Sequence, residues 1–212
     1  MSSTTAPTAN RQTRRKQKTR IKLLEAASEV FLDKGIENTT VTDITNAADV
    51  AYGTFYNYFD SVGDVVPVVA EALLKKNNED IKELQQQYDD PVTRIAIGIN
   101  LLFKKVMMDA AIQWLTQKPH IMADEIARLI AEDAMDDIRL GVESGAFKIP
   151  CELDALRDFL IWGFTGVLYE AVRKPDHLAQ YTHDLTLIYL RVLGVTDKKA
   201  QKITQECSGL EN

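Results

Sequence analysis

Apolar residues recur along most of the chain at the spacing of amphipathic helices. Leu23, Ala27 and Phe31 form one such stripe, which predicts a first helix over about 14–34 that ends at Gly35. The same spacing predicts further helices over about 62–88, from Pro91 onwards, and over 120–143, 152–174 and 176–193. No run alternates with the period of a strand. We therefore expect an all-α chain of about nine helices with a polar tail over 197–206.

Residues 40–59 read as a short helix, a tight turn and a second short helix. Val41 and Ile44 share one helical face, and Thr40 stands before them as an N-cap hydroxyl. The pattern breaks at Asp49, a residue type that tolerates the left-handed conformation of turns. A helix-turn-helix places its second helix in the major groove of DNA, so this stretch predicts a DNA-binding element.

The second helix of this element has a polar outer surface. Phe55 and Phe59 lie four residues apart and are expected to face inward. The other faces carry hydroxyl and amide groups that bond phosphate oxygens and base edges, on Tyr52, Thr54, Tyr56, Asn57 and Tyr58. Gly53 removes a side chain at a position where the backbone could approach DNA closely.

Charge is distributed unevenly along the chain. Residues 1–24 carry seven Lys and Arg residues and no acid, whereas residues 61–212 carry 17 Lys and Arg residues against 24 Asp and Glu residues. The strongest candidates for phosphate contacts are Arg14, Arg15, Lys16, Lys18 and Arg20. Alone, such a run is typical of a solvated tail. Beside a helix-turn-helix it favours a basic DNA-binding end and an acidic remainder held away from the duplex.

Length and composition exclude several classes of protein. A chain of 212 residues with 45% hydrophobic and 26% charged residues has the make-up of an ordinary globular protein. It has neither an apolar run long enough for a transmembrane helix nor a signal-peptide core. Cys151 and Cys207 have no metal or redox spacing, and no common catalytic motif occurs. These features predict a cytoplasmic protein that is not an enzyme and uses no cofactor or metal.

The stretch 40–59 resembles the DNA-binding domain of the TetR family of transcriptional regulators. The family pattern T-V-x-x-I-A-x-x-A-G-V-S-x-G-T-x-Y-x-Y-F is matched in order and spacing by Thr40, Val41, Ile44, Ala48, Val50, Gly53, Thr54, Tyr56, Tyr58 and Phe59. The resemblance extends back through the first helix. It implies a helix-turn-helix domain over 14–61 and a helical effector-binding and dimerisation domain over 62–206. A disordered tail is expected over 1–13 and another tail over 207–212.

Four positions depart from the family pattern. Thr45 stands where Ala is usual, and Asp49 replaces the turn Gly. Ala51 replaces a Ser, so the second helix loses a hydroxyl cap. Val62 stands where a Lys often contacts phosphate. These changes suggest a divergent operator or weaker binding.

The resemblance also implies roles for individual residues of the DNA-binding domain. We expect Tyr52 and Asn57 to contact bases, since an Asn amide pairs bidentately with adenine. Phosphate contacts are implied for Thr40, Thr54, Tyr56 and Tyr58, although Tyr58 could instead belong to the core.

In the second domain the resemblance implies an effector pocket and a dimer interface. Two Trp residues and nearby Met and aromatic residues suit an apolar or aromatic ligand, so the pocket candidates are Phe103, Met107, Trp114, Met122, Trp162 and Tyr169, with plain core as the alternative. The last two long helices are expected to pair with a second subunit through Phe159, Gly163, Gly166, Val167, Leu185, Ile188, Tyr189 and Val192. Packing within one chain remains an alternative for the glycines.

Together these features predict a homodimeric regulator, most simply a repressor, that binds a double-stranded DNA operator and responds to a small-molecule effector. Two alternatives remain open. One is an activator or a regulator without an effector. The other is an all-α interaction protein that has lost DNA binding through the changes at Asp49, Ala51 and Val62.

Overall fold

The computed structural model describes residues 7–129 and 131–208, with the side chains of residues 7–10, 76 and 77 left out. The described residues form α-helices and no strand, as the sequence predicts. In chain order the helices are α1 (Pro7–Lys34), α2 (Val41–Ala47), α3 (Tyr52–Phe55), α4 (Val62–Gln85), α5 (Pro91–Met108), α6 (Ala110–Thr116), α7 (Pro119–Leu129), α8 (Ala131–Glu143), α9 (Leu153–Arg173), α10 (Leu178–Val192) and α11 (Asp197–Ser208). Single 3-10 turns occupy Ile36–Asn38 and Pro175–His177.

The chain divides into two compact units, Met1–Val69 and Ala70–Asn212, which we call the head and the body. The division lies within α4, whereas the sequence placed it just before that helix. None of the helices in the described residues is long and apolar enough to cross a membrane.

The head is held together by the apolar stripe that the sequence predicts on the first helix. Leu23, Ala27 and Phe31 of α1 are fully buried and belong to the core of the unit. Ile44 of α2 and Phe55 of α3 are also fully buried. A buried aromatic or aliphatic side chain of this size contributes roughly 1.5–3 kcal/mol, so this small core fixes α2 and α3.

The body is built around α5, α9 and α10. Phe103 of α5 packs edge-to-face on Phe164 of α9, with 5.3 Å between the ring centroids. The buried amide of Asn100 on α5 donates to the Thr186 hydroxyl of α10 over 3.2 Å and to Ala96 O over 2.8 Å. These buried polar groups are thus hydrogen-bonded, and one bond joins α5 to α10.

Both predicted tails are shorter than expected. Helix α1 begins at Pro7, so residues 7–13 are helical rather than disordered, and the remaining residues 1–6 lie outside the described part of the chain. Proline is favoured in the first turn of a helix because that turn needs no N–H donor. At the other end, α11 is not a polar tail: Ala200, Ile203 and Cys207 form a buried face against the body. Residues 209–212 are not described.

Two helices differ in extent from their predictions. The helix expected over 120–143 is present as α7 and α8 on either side of residue 130, which is not described. The second helix of the helix-turn-helix ends at Phe55. Beyond it the chain keeps turning through tighter bonds, from Asn57 N–H to Thr54 O and from Tyr58 N–H to Phe55 O.

Candidate nucleic-acid interface and body cavity

A capping box fixes the start of α2. The Thr40 hydroxyl accepts from the Asp43 backbone N–H over 3.2 Å, and the Asp43 carboxylate accepts from the Thr40 backbone N–H over 2.8 Å. The Thr40 N-cap predicted from the sequence is therefore confirmed. The same hydroxyl also donates to Asp43 over 2.5 Å, so a phosphate contact by Thr40 would require this proton to be redirected.

The Asp43 carboxylate is stabilised by a cation and by hydrogen bonds. Lys34 Nζ lies 2.5 Å from Asp43 Oδ2. The hydrogen bonds from Lys34 and Thr40 lower the pKa of Asp43 to about 2. The carboxylate therefore stays ionised at neutral pH and ties the end of α1 to the start of α2.

The turn between α2 and α3 carries two of the four departures from the family pattern, Asp49 and Ala51. Asp49 has φ of 52°, the left-handed region that Gly adopts more easily. Ala51 is the N-cap of α3 and offers no side-chain hydrogen bond. Thr45, the third departure, is buried, and its hydroxyl donates to Val41 O over 2.9 Å. The turn thus has the expected shape but lacks two of its usual stabilising features.

Two tyrosines and an amide form the exposed surface of α3 and the turn after it. Tyr52 is 54% exposed and Tyr56 48% exposed, and their hydroxyls share a hydrogen bond of 2.9 Å. The bond from Tyr52 raises the pKa of the Tyr56 hydroxyl. Asn57 beside them is exposed. These three side chains present hydroxyl and amide groups outward, as a DNA-contacting surface requires.

The remaining candidates on this element differ in exposure. A Cβ added at Gly53 would meet no atom within 4 Å, so the glycine is not needed for packing inside the chain. Thr54 and Tyr58 are half-buried. The half-burial of Tyr58 is compatible with both roles that the sequence left open, a phosphate contact and a place in the core.

The cationic residues lie on a helix and not on a tail. Arg14, Arg15, Lys16, Lys18 and Arg20 are all exposed on α1. Residues 11, 15, 18 and 22 are spaced by four, three and four positions, which places four cations on one helical face. Arg20 also lies over the Phe59 ring, 5.7 Å from its centroid, so it packs on the head as well as carrying charge.

A cavity of about 120 Å³ lies inside the body. Its wall comes from α4, α5 and α7–α10 and is mostly apolar, including Ile81, Ile99, Met135, Ile138 and Phe164. Five polar side chains interrupt this apolar wall: Asn78, Gln85, Asp133, Arg157 and Tyr189. A concave, mostly apolar space with few polar groups is the form that small-molecule sites take.

The lining of this cavity differs from the sequence-based choice of ligand residues. None of Phe103, Met107, Trp114, Met122, Trp162 and Tyr169 belongs to its wall. Phe103 and Met122 are fully buried elsewhere in the core, and Trp162 is 55% exposed. Sequence alone cannot distinguish these placements, because core and cavity positions share the same apolar face of a helix.

Some of the wall residues that were not predicted share one face of α4, and their spacing is visible in the sequence. Leu74, Asn78, Ile81 and Gln85 follow the spacing of one helical face. Leu74 and Ile81 are buried. Because two amides occupy this face, the segment has the sequence pattern of a solvated polar stretch.

The predicted dimer residues separate into two groups. Phe159 and Trp162 of α9 are each 55% exposed, Ile188 of α10 is 50% exposed, and Gly166 is open. Leu185 and Tyr189 are buried within the chain, which corrects their assignment to an interface. The Tyr189 hydroxyl donates to Leu160 O, and a Cβ at Gly163 would lie 3.1 Å from that hydroxyl. Gly163 therefore serves packing inside the chain, while Val167 and Val192 are half-buried against the core.

Comparison with known proteins identifies the class of the head. The model of bacterial regulatory proteins of the tetR family matches residues 23–65. The head therefore contains the helix-turn-helix segment of the TetR family. Helix α1 before residue 23, including the exposed cations, lies outside the matched segment.

Two relatives show how the similarity is distributed. The HTH-type transcriptional regulator YvdT of Bacillus subtilis, itself uncharacterized, is 43% identical over 61 residues, 29% of this chain and 31% of its own. The HTH-type transcriptional repressor DhaR of Mycobacterium sp. is 25% identical over 192 residues, 82% of this chain and 92% of its own. The stronger identity thus covers a short segment, about a third of YvdT.

Solved structures share the whole fold. The resorcinol complex of RolR has a TM-score of 0.77 at 22% identity and covers 91% of this chain and 95% of its own. A stearoyl-CoA complex of FadR from Bacillus subtilis has a TM-score of 0.67 at 20% identity, over 84% of this chain and 98% of its own. At such identities the likeness extends to the fold of this chain and no further.

Proposed function

We propose that this chain is a homodimeric, cytoplasmic transcriptional repressor, released from a palindromic DNA operator by a small, largely apolar or aromatic effector. The observation that carries the proposal is the head surface. Exposed Tyr52, Tyr56 and Asn57 follow the turn of a helix-turn-helix, in the same unit as the cationic face of α1. Polar groups that read bases and cations that bind phosphates are the two components of a DNA interface.

Asn57 and Tyr52 would contact base edges in the major groove, and Asn57 would pair with an adenine. Arg14, Arg15, Lys16 and Lys18 would contact phosphates, which adds affinity without sequence information. Thr54, Tyr56 and Tyr58 would position the helix on the backbone.

A dimer would place two heads on two half-sites. The exposed apolar side chains of α9 and α10, Phe159, Trp162 and Ile188, support this assembly. Phe159 and Trp162 lie three positions apart and therefore on one face of α9, and a contiguous exposed apolar patch marks a protein–protein interface. Dimeric helix-turn-helix proteins read half-sites roughly 34–36 Å apart.

Effector binding would act as a shift between two populations of the dimer. The cavity wall includes the C-terminal half of α4, and α4 continues in sequence into the head. An effector that favours one position of α4 would change the spacing of the heads and so weaken operator binding. A coupling of about 3 kcal/mol would change operator affinity about 150-fold.

The test is selection of bound duplexes from a random DNA pool, followed by titration of the enriched sequence at several salt concentrations. We expect a palindrome, and if a dimer neutralises about eight phosphates the slope of log affinity against log salt is about −7. Arg15→Gln with Lys18→Gln should reduce this slope by about 0.9 for each phosphate that is no longer neutralised. Lys198→Gln with Lys202→Gln, two exposed cations of α11, is the matched control and should leave it unchanged. Weak binding without an enriched motif would contradict the repressor proposal.

A further inference from the structure

The size of the body cavity limits its occupant to a small molecule. An engineered protein cavity of about 150 Å³ lined by apolar side chains binds benzene. At about 120 Å³ the cavity of this chain is on the same scale. A single ring with small substituents fits this volume, whereas a long acyl chain exceeds it.

Two of the five polar side chains of the wall, Asn78 and Gln85, lie on α4. Asn78 donates from its amide to Leu129 O over 2.9 Å, and Gln85 donates to Arg94 O over 2.8 Å. Each amide is thus held in place by one of its N–H groups. Neither amide oxygen accepts a hydrogen bond from the residues that the structure describes.

Gly98 brings the Gln85 amide close to α5. A Cβ at this position would lie 2.5 Å from Gln85 Nε2, so any other residue would displace the amide. Both Gly98 and Gln85 belong to the cavity wall. The glycine therefore fixes a primary amide, with a free acceptor oxygen and a second N–H, at the edge of an apolar space.

The charges of the wall disfavour an anionic occupant. The Arg157 guanidinium donates twice to Asp158 over 3.1 Å and lies 3.7 Å from Asp154. Asp133 is a further carboxylate of the wall, and it pairs with Lys82 over 2.6 Å. Each of these two cations already has a carboxylate partner, so a ligand carboxylate would meet more acids than free bases.

We propose that the effector is an uncharged, single-ring molecule bearing a hydroxyl group, and that the amide of Gln85 recognises this hydroxyl. A hydroxyl both donates and accepts, so it suits an amide that offers an oxygen and an N–H. The ring would occupy the apolar part of the wall. This inference rests on the proposed effector response, and it adds that the polar contact is made by α4 itself, so that recognition of the hydroxyl acts on this helix directly.

The test uses four probes of similar size, namely phenol, resorcinol, toluene and benzoate, titrated calorimetrically into the full chain. Gln85→Met removes the amide and keeps an unbranched side chain of similar length. Gln86→Met makes the same change at the exposed neighbour, which is not part of the wall. Thermal unfolding of both variants establishes that they are folded.

We expect phenol and resorcinol to bind the wild type more tightly than toluene, and benzoate to bind least. In Gln85→Met phenol should bind about fivefold more weakly, as expected when one hydrogen bond is removed, while toluene is unaffected. Gln86→Met should behave as the wild type. Equal or tighter binding of toluene or benzoate, a loss shared by all probes, or no binding of any probe would overturn the inference.

Operator binding without any probe separates this inference from the proposed function. If the chain binds its selected operator but no hydroxylated probe binds or releases it, the effector assignment fails and the DNA-binding proposal stands. If the chain binds no operator while phenol shows the Gln85 dependence, the repressor proposal fails and the ligand site stands.

Discussion

The head and the body differ in how closely their sequences resemble those of known proteins. The family model and the 43% identical segment of YvdT both cover only a short stretch of the chain, and the model's match lies in the head. The solved structures are similar at only about a fifth identity, yet most of the chain shares their fold. A helix-turn-helix must present certain residue types to a fixed partner, DNA. A helical body needs only apolar faces of suitable volume, and many sequences satisfy that requirement.

The largest expected effect is the loss of the head by one core substitution. Phe55→Ala removes a fully buried ring that holds α3, and we expect it to cost about 3–5 kcal/mol of stability and to abolish operator binding. Leu32→Ala, at a position 43% exposed on α1, is the control and should change little. Thermal unfolding and DNA titration measure both. A Phe55→Ala protein that binds operator normally would show that α3 is positioned by something other than this core.

The exposed apolar face of α9 offers the next test, in the body. Trp162→Glu should weaken dimerisation by about 2 kcal/mol or more, because it places a charge in an apolar contact. Sedimentation should then show monomers at concentrations where the wild type is dimeric. Met108→Glu, at a residue 78% exposed on α5, should leave the dimer intact. An unchanged dimer in Trp162→Glu would mean that the interface lies elsewhere.

Asn57→Ala tests base reading in the head without a folding effect. The side chain is exposed, so stability should not change, whereas discrimination at one base pair should fall by about 1–3 kcal/mol. Asn38→Ala, at another exposed amide of the head, is the control. Competition between the selected operator and single-base variants measures the effect. If affinity falls equally for every sequence, Asn57 contacts the backbone and not a base.

A smaller effect on the stability of the head is expected from substitutions in the turn between α2 and α3. Asp49→Gly removes a side chain from a left-handed backbone with φ of 52° and should stabilise the head by about 1 kcal/mol. Asp49→Asn separates strain from charge, since it keeps the side chain and removes only the negative charge. If both variants strengthen DNA binding equally, charge and not strain is the limitation. Thermal unfolding and operator titration of the two variants decide the point.

The smallest expected effect is a difference in how the stability of the head and that of the body change as the pH falls. The pKa of Asp43 lies at about 2, below its ordinary 3.8, so its contribution is present above pH 3.8 and is lost as the pH falls towards 2. Asp137 in the body behaves oppositely. Burial raises the pKa of the Asp137 carboxyl, while the nearby Arg94 acts in the opposite direction and is outweighed. Protonation on acidification therefore removes a buried charge.

We therefore expect amide hydrogen exchange in α2 to rise before exchange in α5 and α8 as the pH falls from about 4 to about 2, after correction for the intrinsic pH dependence of exchange. Asp43→Asn should remove most of the pH dependence in α2. Equal loss of protection in both units would contradict this assignment.

Particular residues show which structural features can be predicted from the sequence. The stripe of Leu23, Ala27 and Phe31 predicts the buried face of α1, because a 3.6-residue period fixes which side chains share a side. The Thr40 cap can also be predicted from the sequence, because a capping box is made within four residues. The burial of Tyr189, by contrast, cannot be predicted from a local pattern, because its bond to Leu160 O joins residues on two different helices.

By itself, then, the sequence determined the helical class, the helix-turn-helix and the exposed polar face after it, since these depend on contacts between residues close in the chain. Only the tertiary structure decided which apolar positions form the cavity and which form plain core. It also brought Gln85 and Asn78 of α4 into the cavity wall with α5 and α8 and left Trp162 outside. The physical reason is that a helical period identifies a buried face, whereas the partner of that face is selected by packing between segments distant in sequence.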